Sequence, residues 1–135
     1  MDVKFRGKAI RTGEWVYGDK YTDQVFKNGE SCVDVTLIRD ECHQDHEVHP
    51  DSVGMWTGKS KWEEGKRVLD YYENDIIEVM IYDLRRKNFV VEDTGPLVWN
   101  SNGFYCKGDS GKWQRPNFDN IRVIGNATDN PELLK

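Results

Sequence analysis

Few residues of this chain can form cross-links, and its apolar runs are short. The 135 residues include three cysteines and four prolines, and the formal net charge is −5. An odd number of widely spaced cysteines disfavours a disulfide framework. No apolar stretch approaches the roughly 18 residues that a membrane-spanning helix needs. The sequence therefore disfavours a small disulfide-stabilised fold, excludes a spanning helix, and predicts one compact domain or two very small ones.

Basic charge is too scarce for a conventional nucleic-acid module, since 19 lysines and arginines stand against 24 acidic residues. The strongest local cluster is Arg85, Arg86 and Lys87, between two apolar segments. Such a cluster is typical of a solvated hairpin turn. Phosphate contact is the alternative, because a few exposed cations can neutralise a nucleic-acid backbone even on an acidic protein.

The apolar residues alternate or form short runs, with little helical spacing, which predicts a mainly β protein. Turns containing glycine separate the apolar segments at Arg11–Gly13, Lys27–Gly29, Asn100–Gly103 and Gly108–Gly111. The predicted strands are Val3–Ile10, Glu14–Gly18, Cys32–Arg39, Lys66–Tyr72, Asp75–Tyr82, Phe89–Asp93, Pro96–Trp99, Phe104–Lys107 and Ile121–Ile124. A short C-terminal helical turn is predicted at the end, where Asn130 is suited to cap and Pro131 to begin the turn.

Alternation is lost between His43 and Gly65, which predicts an irregular connection. It separates a small N-terminal β region, residues 1–52, from a second domain, residues 53–135, that begins with the rest of this irregular segment. Short antiparallel strands often close on themselves and so avoid open edges. The second domain is therefore predicted to form a small β-barrel.

Metal ligands are concentrated in one segment, which contains Cys42, His43, His46 and His49. A structural zinc site draws further ligands from elsewhere, and no second pair exists in this sequence. On an extended segment, His46 and His49 would also project to opposite sides. A polar surface loop is therefore favoured, a metal-dependent enzyme is the weaker alternative, and no cofactor is predicted. Common catalytic and nucleotide-binding motifs are missing too, so the sequence favours a protein that is not an enzyme.

Two of the five tryptophans, Trp62 and Trp113, have several basic neighbours in sequence. Packing beneath long basic side chains is the favoured interpretation. The alternative is exposure of rings and cations together, which suits stacking of nucleic-acid bases or contact with a partner protein.

Several ordered blocks resemble the YopX family of phage and prophage proteins. The blocks are Lys4-Phe5-Arg6, Tyr17-Gly18-Asp19, Val53–Gly58, Tyr72–Ile77, Ile124-Gly125-Asn126 and Asn130–Leu134. Two departures are Met55, where the family usually has glutamine, and Asn74, where it has glycine. The resemblance implies a mainly β protein with an SH3-like C-terminal barrel, encoded by a temperate phage and working inside a bacterium. It implies no activity.

These observations favour a non-enzymatic binding or adaptor module that acts on a host or phage protein. The alternative function is single-stranded nucleic-acid binding through Trp62, Trp113 and the Arg85–Lys87 cluster. The segment Met1–Arg6 does not have the layout of a signal peptide, so the expected location is the bacterial cytoplasm.

Overall fold

A computed structural model describes residues 4–26 and 32–134, which contain antiparallel strands and three short 3₁₀ turns. The strands are β1 (Phe5–Lys8), β2 (Trp15–Phe26), β3 (Cys32–Arg39), β4 (Asp45–Glu47), β5 (Gly54–Glu63), β6 (Lys66–Tyr72), β7 (Asp75–Asp83), β8 (Asn88–Asn100), β9 (Gly103–Lys107), β10 (Trp113–Gln114) and β11 (Ile121–Asn126). The 3₁₀ turns are Pro50–Ser52, Phe118–Asn120 and Pro131–Leu133. No helix within these ranges is long and apolar enough to cross a membrane.

The strands form two sheets, with the orders β4-β3-β2-β1-β5-β6 and β10-β9-β8-β7-β11. The chain forms two compact units, residues 1–56 and residues 57–135. In the first unit, β1 pairs with β2 on one side and with the start of β5 on the other. In the second unit, β8 is the longest strand, and it pairs with β7 through its first part and with β9 through its last part.

The first unit has a small apolar core. Its buried side chains include Ala9, Val35, Ile38 and Val48. Gly7 lies among them, and a methyl group there would approach the Ile38 Cδ1 atom to 2.9 Å. Close packing of β1 on Ile38 therefore depends on the absence of a side chain at Gly7, since protein interiors leave little spare volume.

The second unit has a larger core with aromatic members. The buried cluster is Tyr71, Ile77, Val79, Leu97 and Cys106, with Phe118, Ile121 and Val123 packed against it. The Tyr71 and Phe118 ring centroids are 5.3 Å apart. Burial raises the pKa of the Cys106 thiol to about 11, because an apolar site disfavours the thiolate.

The mainly β prediction is confirmed, and β3 and β6 have the predicted bounds. The prediction of an irregular connection from His43 to Gly65 is wrong, because this segment contains the whole of β4 and β5. The predicted strands Phe89–Asp93 and Pro96–Trp99 are one strand, β8, which passes through Gly95. A side chain at Gly95 would collide with the Lys107 carbonyl, so glycine allows this close strand approach.

Closure of the second unit into an SH3-like barrel is not confirmed. The outer strands of its five-stranded sheet are β10 and β11, and within the described ranges these two strands do not pair with each other. Gly13, Gly103 and Gly111 have positive φ in their predicted turns, whereas Lys27–Gly29 lies outside the described residues, as does Val3.

The short C-terminal turn is present as a 3₁₀ helix that begins at Pro131. Asn130 stands at the capping position, but its side chain does not cap the turn. The Asn130 Oδ1 atom instead accepts the main-chain N–H of Asn126 at 3.2 Å. The predicted side-chain cap is therefore wrong, and Asn130 stabilises the chain before the turn.

Candidate binding surfaces

The predicted metal ligands do not come together. Within residues 4–26 and 32–134, no group of three or more histidine, cysteine or acidic side chains is arranged to hold a metal ion. His46 Nε2 donates to Asp40 Oδ2 at 2.8 Å, and Asp40 Oδ1 accepts the main-chain N–H groups of Cys42 and Gln44. The His46 contact, followed by the Gln44 N–H, lowers the pKa of Asp40.

The other two histidines both lie at turns. His43 has φ 60 in the turn before β4, a left-handed conformation typical of tight turns. The His49 carbonyl accepts the Ser52 hydroxyl at 2.6 Å, where the Pro50–Ser52 turn begins. The segment therefore uses these groups in local turns.

The outer half of the β7–β8 hairpin carries exposed apolar side chains, here called the hairpin surface. Its members are 44% to 82% exposed and are Ile81, Tyr82, Leu84, Phe89 and Val91. Tyr82 is paired with Phe89 across the strands, and their rings meet edge to face at 5.3 Å. Ile81 is adjacent to Tyr82 in the strand, so it projects from the opposite face of the hairpin. Both faces of this hairpin are therefore apolar and open to solvent.

The predicted basic cluster forms the tip of the same hairpin. Asp83 Oδ1 accepts the main-chain N–H groups of Arg85 and Arg86 at 2.9 and 3.3 Å. Arg86 Nε also lies 3.6 Å from Asp83 Oδ2. Lys87 has φ 54 and closes the turn. The tip is thus an ordered turn that holds three cations beside the hairpin surface, partly balanced by one carboxylate.

Trp62 and Trp113 are both exposed, at 61% and 47%. Trp62 belongs to β5 and Trp113 to β10, so they are held by different strands of the second unit. Lys107 Nζ lies 5.6 Å from the centre of the Trp113 ring. Trp113 is therefore exposed and has a basic side chain over its ring, which is the packing that the sequence favoured.

A different cluster of rings and cations lies in the first unit, and sequence reasoning missed it. We call it the cation–aromatic face: Lys4, Arg6, Lys8, Trp15, Tyr17 and Trp56. Lys4 Nζ lies 5.6 Å from the Tyr17 ring centre and 6.0 Å from that of Trp56. Arg6 Cζ lies 4.7 Å from the Trp15 ring centre, and Lys8 Nζ lies 5.9 Å from it.

Strand register explains how these residues meet. Arg6 is paired with Tyr17 and Lys8 with Trp15, and paired residues of an antiparallel sheet share a face. The Trp56 main-chain N–H donates to the Lys4 carbonyl at 2.7 Å, which places Trp56 beside Lys4. The sequence did contain a signal for this face. Basic residues occupy every second position from Lys4 to Lys8, and aromatic residues occupy every second position from Trp15 to Tyr17.

Each unit also has an open cleft. The first, of about 720 Å³, is lined by Lys4, Trp15, Val16, Tyr17, Gly18, Asp19, Arg39, Asp40, Glu41 and Cys42. The second, of about 630 Å³, includes Trp99, Phe104 and Arg115 in its lining. Arg115 donates to the Tyr105 hydroxyl and to the Asn102 carbonyl, each at 3.2 Å. Both volumes fall in the range of small-molecule sites, and the first cleft adjoins the cation–aromatic face.

A family model described as YopX protein matches residues 4–135. The chain belongs to the YopX family. Neither curated proteins nor solved structures give a significant match to it. Three blocks of the YopX resemblance lie on neighbouring strands, because Phe5 is paired with both Gly18 and Met55.

Two glycine positions of the YopX pattern have physical explanations in this chain. Gly18 has φ 156, and a side chain there would collide with the Arg39 carbonyl. Asn74 stands where the YopX pattern has glycine and has φ 72, a left-handed conformation that asparagine tolerates well. Nothing in the structure explains why Met55 replaces glutamine.

Proposed function

We propose that this YopX-family chain is a non-enzymatic binding or adaptor module of phage origin. Its partner is a host or phage protein in the bacterial cytoplasm. The observation that carries this proposal is the hairpin surface, which holds Tyr82, Phe89 and three aliphatic side chains in solvent.

The composition of the hairpin surface suits contact with a protein. Contiguous exposed apolar patches are uncommon on monomeric proteins and mark interaction sites. Interface centres are enriched in tyrosine, phenylalanine and arginine, and the hairpin combines Tyr82 and Phe89 with Arg85 and Arg86. Because Ile81 lies on the opposite face from Tyr82, the partner is expected to enclose the hairpin.

We also propose that the second unit closes into an SH3-like barrel. The β7–β8 register shifts at Glu92 of β8, opposite Val79 and Met80, and the β7–β11 register shifts at Ile124 of β11, between Val123 and Gly125. Bulges of this kind bend a strand and increase its twist, which favours closure of a small sheet.

Affinity purification of the tagged full chain from its bacterial host tests the proposal. The variant carries Tyr82→Thr and Phe89→Thr, and the control carries Val68→Thr at an exposed site on β6. We expect specific proteins to stay bound after nuclease treatment with the wild type and the control, and to be lost with the variant. Retention of the same proteins by the variant would contradict the proposal.

A second candidate function is single-stranded nucleic-acid binding through Trp62, Trp113 and the Arg85–Lys87 tip. It is supported by the exposure of both tryptophans and by the Lys107 side chain over Trp113. An oligonucleotide titration at low salt tests it. This candidate predicts salt-sensitive binding that is lost in the Arg85→Ala, Arg86→Ala, Lys87→Ala triple variant, and no binding at low salt would exclude it.

A further inference from the structure

We propose that β8 accepts an extended segment of the partner protein as an added antiparallel strand, and that this segment is apolar and followed by acidic residues. The inference rests on the proposed function and deepens it, since it gives the hairpin surface a mode of binding and its partner a chemistry. The added strand lies along Asn88–Glu92 of β8, here called the open edge.

The open edge has a strand on only one side within the described ranges. β7 pairs with it there, as the other arm of the hairpin. On the opposite side, β9 pairs with β8 only along Leu97–Asn100. The Asp109 main-chain N–H donates to the Thr94 carbonyl at 2.8 Å, and in the part of the chain that the structure describes this is the last main-chain hydrogen bond on that side before the tip. The outward N–H and C=O groups of the open edge are therefore available to another strand.

The sequence of the open edge favours pairing with another strand. Natural proteins protect edge strands with lysine, proline, bulges or a covering segment. Asn88–Val91 contains neither charge nor proline, and its aromatic and β-branched residues have high strand propensity. Phe89 is 50% exposed and Val91 is 44% exposed. The register shift at Glu92 ends the regular part of the edge, so the added strand pairs over about four residues.

An added strand also accounts for apolar side chains on both faces of the hairpin. Successive side chains of a strand point to opposite faces. Those of the partner therefore lie beside Phe89 on one face and beside Val90 on the other. An amphipathic helix would cover one face and leave the other in solvent. The exposure of Ile81 as well as Tyr82 favours a strand.

Charge sets the direction and composition of the added strand. Arg85 and Lys87, at the tip, form no ion pair within the described ranges. At the other end, Lys112 Nζ lies 3.8 Å from Glu92 Oε1, and Asp109 adds a second carboxylate. Carboxylates of a partner are therefore attracted to the tip and not to the other end. Antiparallel pairing is slightly more stable than parallel pairing, and an antiparallel strand ends at the tip, so its acidic residues follow its apolar residues.

Selection from a phage-displayed library of random linear peptides of about ten residues, with the tagged full chain as bait, tests the partner chemistry. We expect enrichment of β-branched and aromatic residues followed by acidic residues. An enriched peptide is then synthesised with a fluorescent label, together with a control of the same composition in reversed order. Fluorescence anisotropy should show about tenfold weaker binding of the reversed peptide, because its acidic residues meet Glu92 instead of the tip. Equal binding of the two peptides would overturn the proposed direction.

Charge reversal at the tip separates local attraction from the net charge of the chain. Arg85→Glu with Lys87→Glu should weaken binding of the selected peptide by about tenfold. The matched control, Lys61→Glu with Lys66→Glu, makes the same change in net charge on β5 and β6. It should bind within about twofold of the wild type, because salt screens distant charges. Equal losses in the two variants would contradict recognition by the tip.

Amide hydrogen exchange, measured by NMR with the selected peptide near saturation, tests the strand itself. We expect exchange to slow about tenfold at those amides of Asn88–Glu92 that do not bond to β7. No slowing at the open edge would overturn strand addition. Loss of the natural partner in the Tyr82→Thr, Phe89→Thr variant would then still support the proposed function, so the two failures are distinguishable.

Four other results would also overturn the inference. The first is no enrichment of any peptide, and the second is enrichment of peptides whose apolar residues have helical spacing. The third is a dimer of the protein alone in light scattering with slow exchange at the open edge, which would show that a second copy fills it. The fourth is displacement of the selected peptide by an oligothymidine at low salt, which would show that the edge binds nucleic acid.

Discussion

In the first unit, Trp15, Tyr17 and Trp56 lie beneath lysine and arginine side chains. In the second unit, Tyr82 packs against Phe89, and Trp99 packs against Phe104 at 4.9 Å, with both pairs reaching solvent. Each exposed cation–π contact contributes about 0.5–1 kcal/mol. The second unit also has such contacts, at Trp113 and Tyr105, but in the first unit they add stability to a smaller core.

The second unit has a larger core and depends less on its surface. Its buried cluster includes an aromatic ring and long aliphatic side chains, so the outer rings are not needed to complete the interior. This difference indicates that the hairpin surface can be altered without unfolding the protein. The four predictions below test that difference, in order of decreasing expected effect.

Leu97→Ala should lower the free energy of unfolding by about 3 kcal/mol, because Leu97 is fully buried in the second core. Tyr82→Ala should lower it by only about 1 kcal/mol, because it removes the edge-to-face contact with Phe89 but no part of the core. Urea unfolding monitored by circular dichroism gives both values. If Tyr82→Ala lowered the free energy of unfolding as much as Leu97→Ala, the hairpin surface would stabilise the fold as the core does. That result would contradict the contrast between surface and core.

Gly18→Ala should destabilise the first unit by about 2 kcal/mol, since a side chain there meets the Arg39 carbonyl. Gly13→Ala is the matched control, with φ 72 and open space around the added carbon. It should cost about 1 kcal/mol, from backbone conformation alone. Thermal unfolding of the two variants measures the difference, and equal costs would contradict the close approach of β2 to the end of β3.

Ser110→Ala should destabilise the second unit by about 1–2 kcal/mol at neutral pH. The Ser110 hydroxyl donates to Asp93 Oδ2 at 2.6 Å and, ahead of the Thr94 and Ser110 main-chain N–H groups, lowers the pKa of Asp93. A carboxylate with a lowered folded-state pKa stabilises the fold above its unfolded pKa of about 3.9 and loses this contribution as pH falls. The effect of Ser110→Ala should therefore shrink below about pH 4 in urea unfolding at several pH values. An effect that is the same at pH 7 and pH 3 would contradict this role.

Thiol reactivity should distinguish surface from core without any change in stability. Cys32 and Cys42 are exposed, whereas Cys106 is buried with its pKa raised to about 11 by burial. A chromogenic disulfide reagent at pH 8 should therefore titrate two thiols in the folded protein and the third after denaturation. Rapid reaction of all three in the folded protein would show that the second core is open.

Sequence patterns predicted the elements whose apolar residues alternate, such as β3 and β6. They missed β5 because Lys59, Lys61 and Glu63 make its outer half polar, although the turn at Glu64 and Gly65 makes it one arm of a hairpin. The extent of β8 also escaped prediction, because Gly95 usually marks a break and here permits close strand approach.

One of the candidate surfaces could be predicted from local sequence, and another could not. The Arg85–Lys87 tip was predictable because the residues that form it are contiguous in sequence. The cation–aromatic face was not, because Lys4 meets Tyr17 through the β1–β2 register and meets Trp56 through the β1–β5 pairing. Such a surface depends on which strands become neighbours, and local sequence does not specify this.

Photo-crosslinking inside the bacterial host tests the central claim, that the second unit presents its hairpin to a partner protein. A photoreactive phenylalanine analogue is placed at Tyr82 in one sample and at the exposed control position Ile10 in another. We expect Tyr82 to give a discrete adduct with one host or phage protein, and Ile10 to give none. The absence of an adduct at Tyr82, or the same adducts from both positions, would contradict the account.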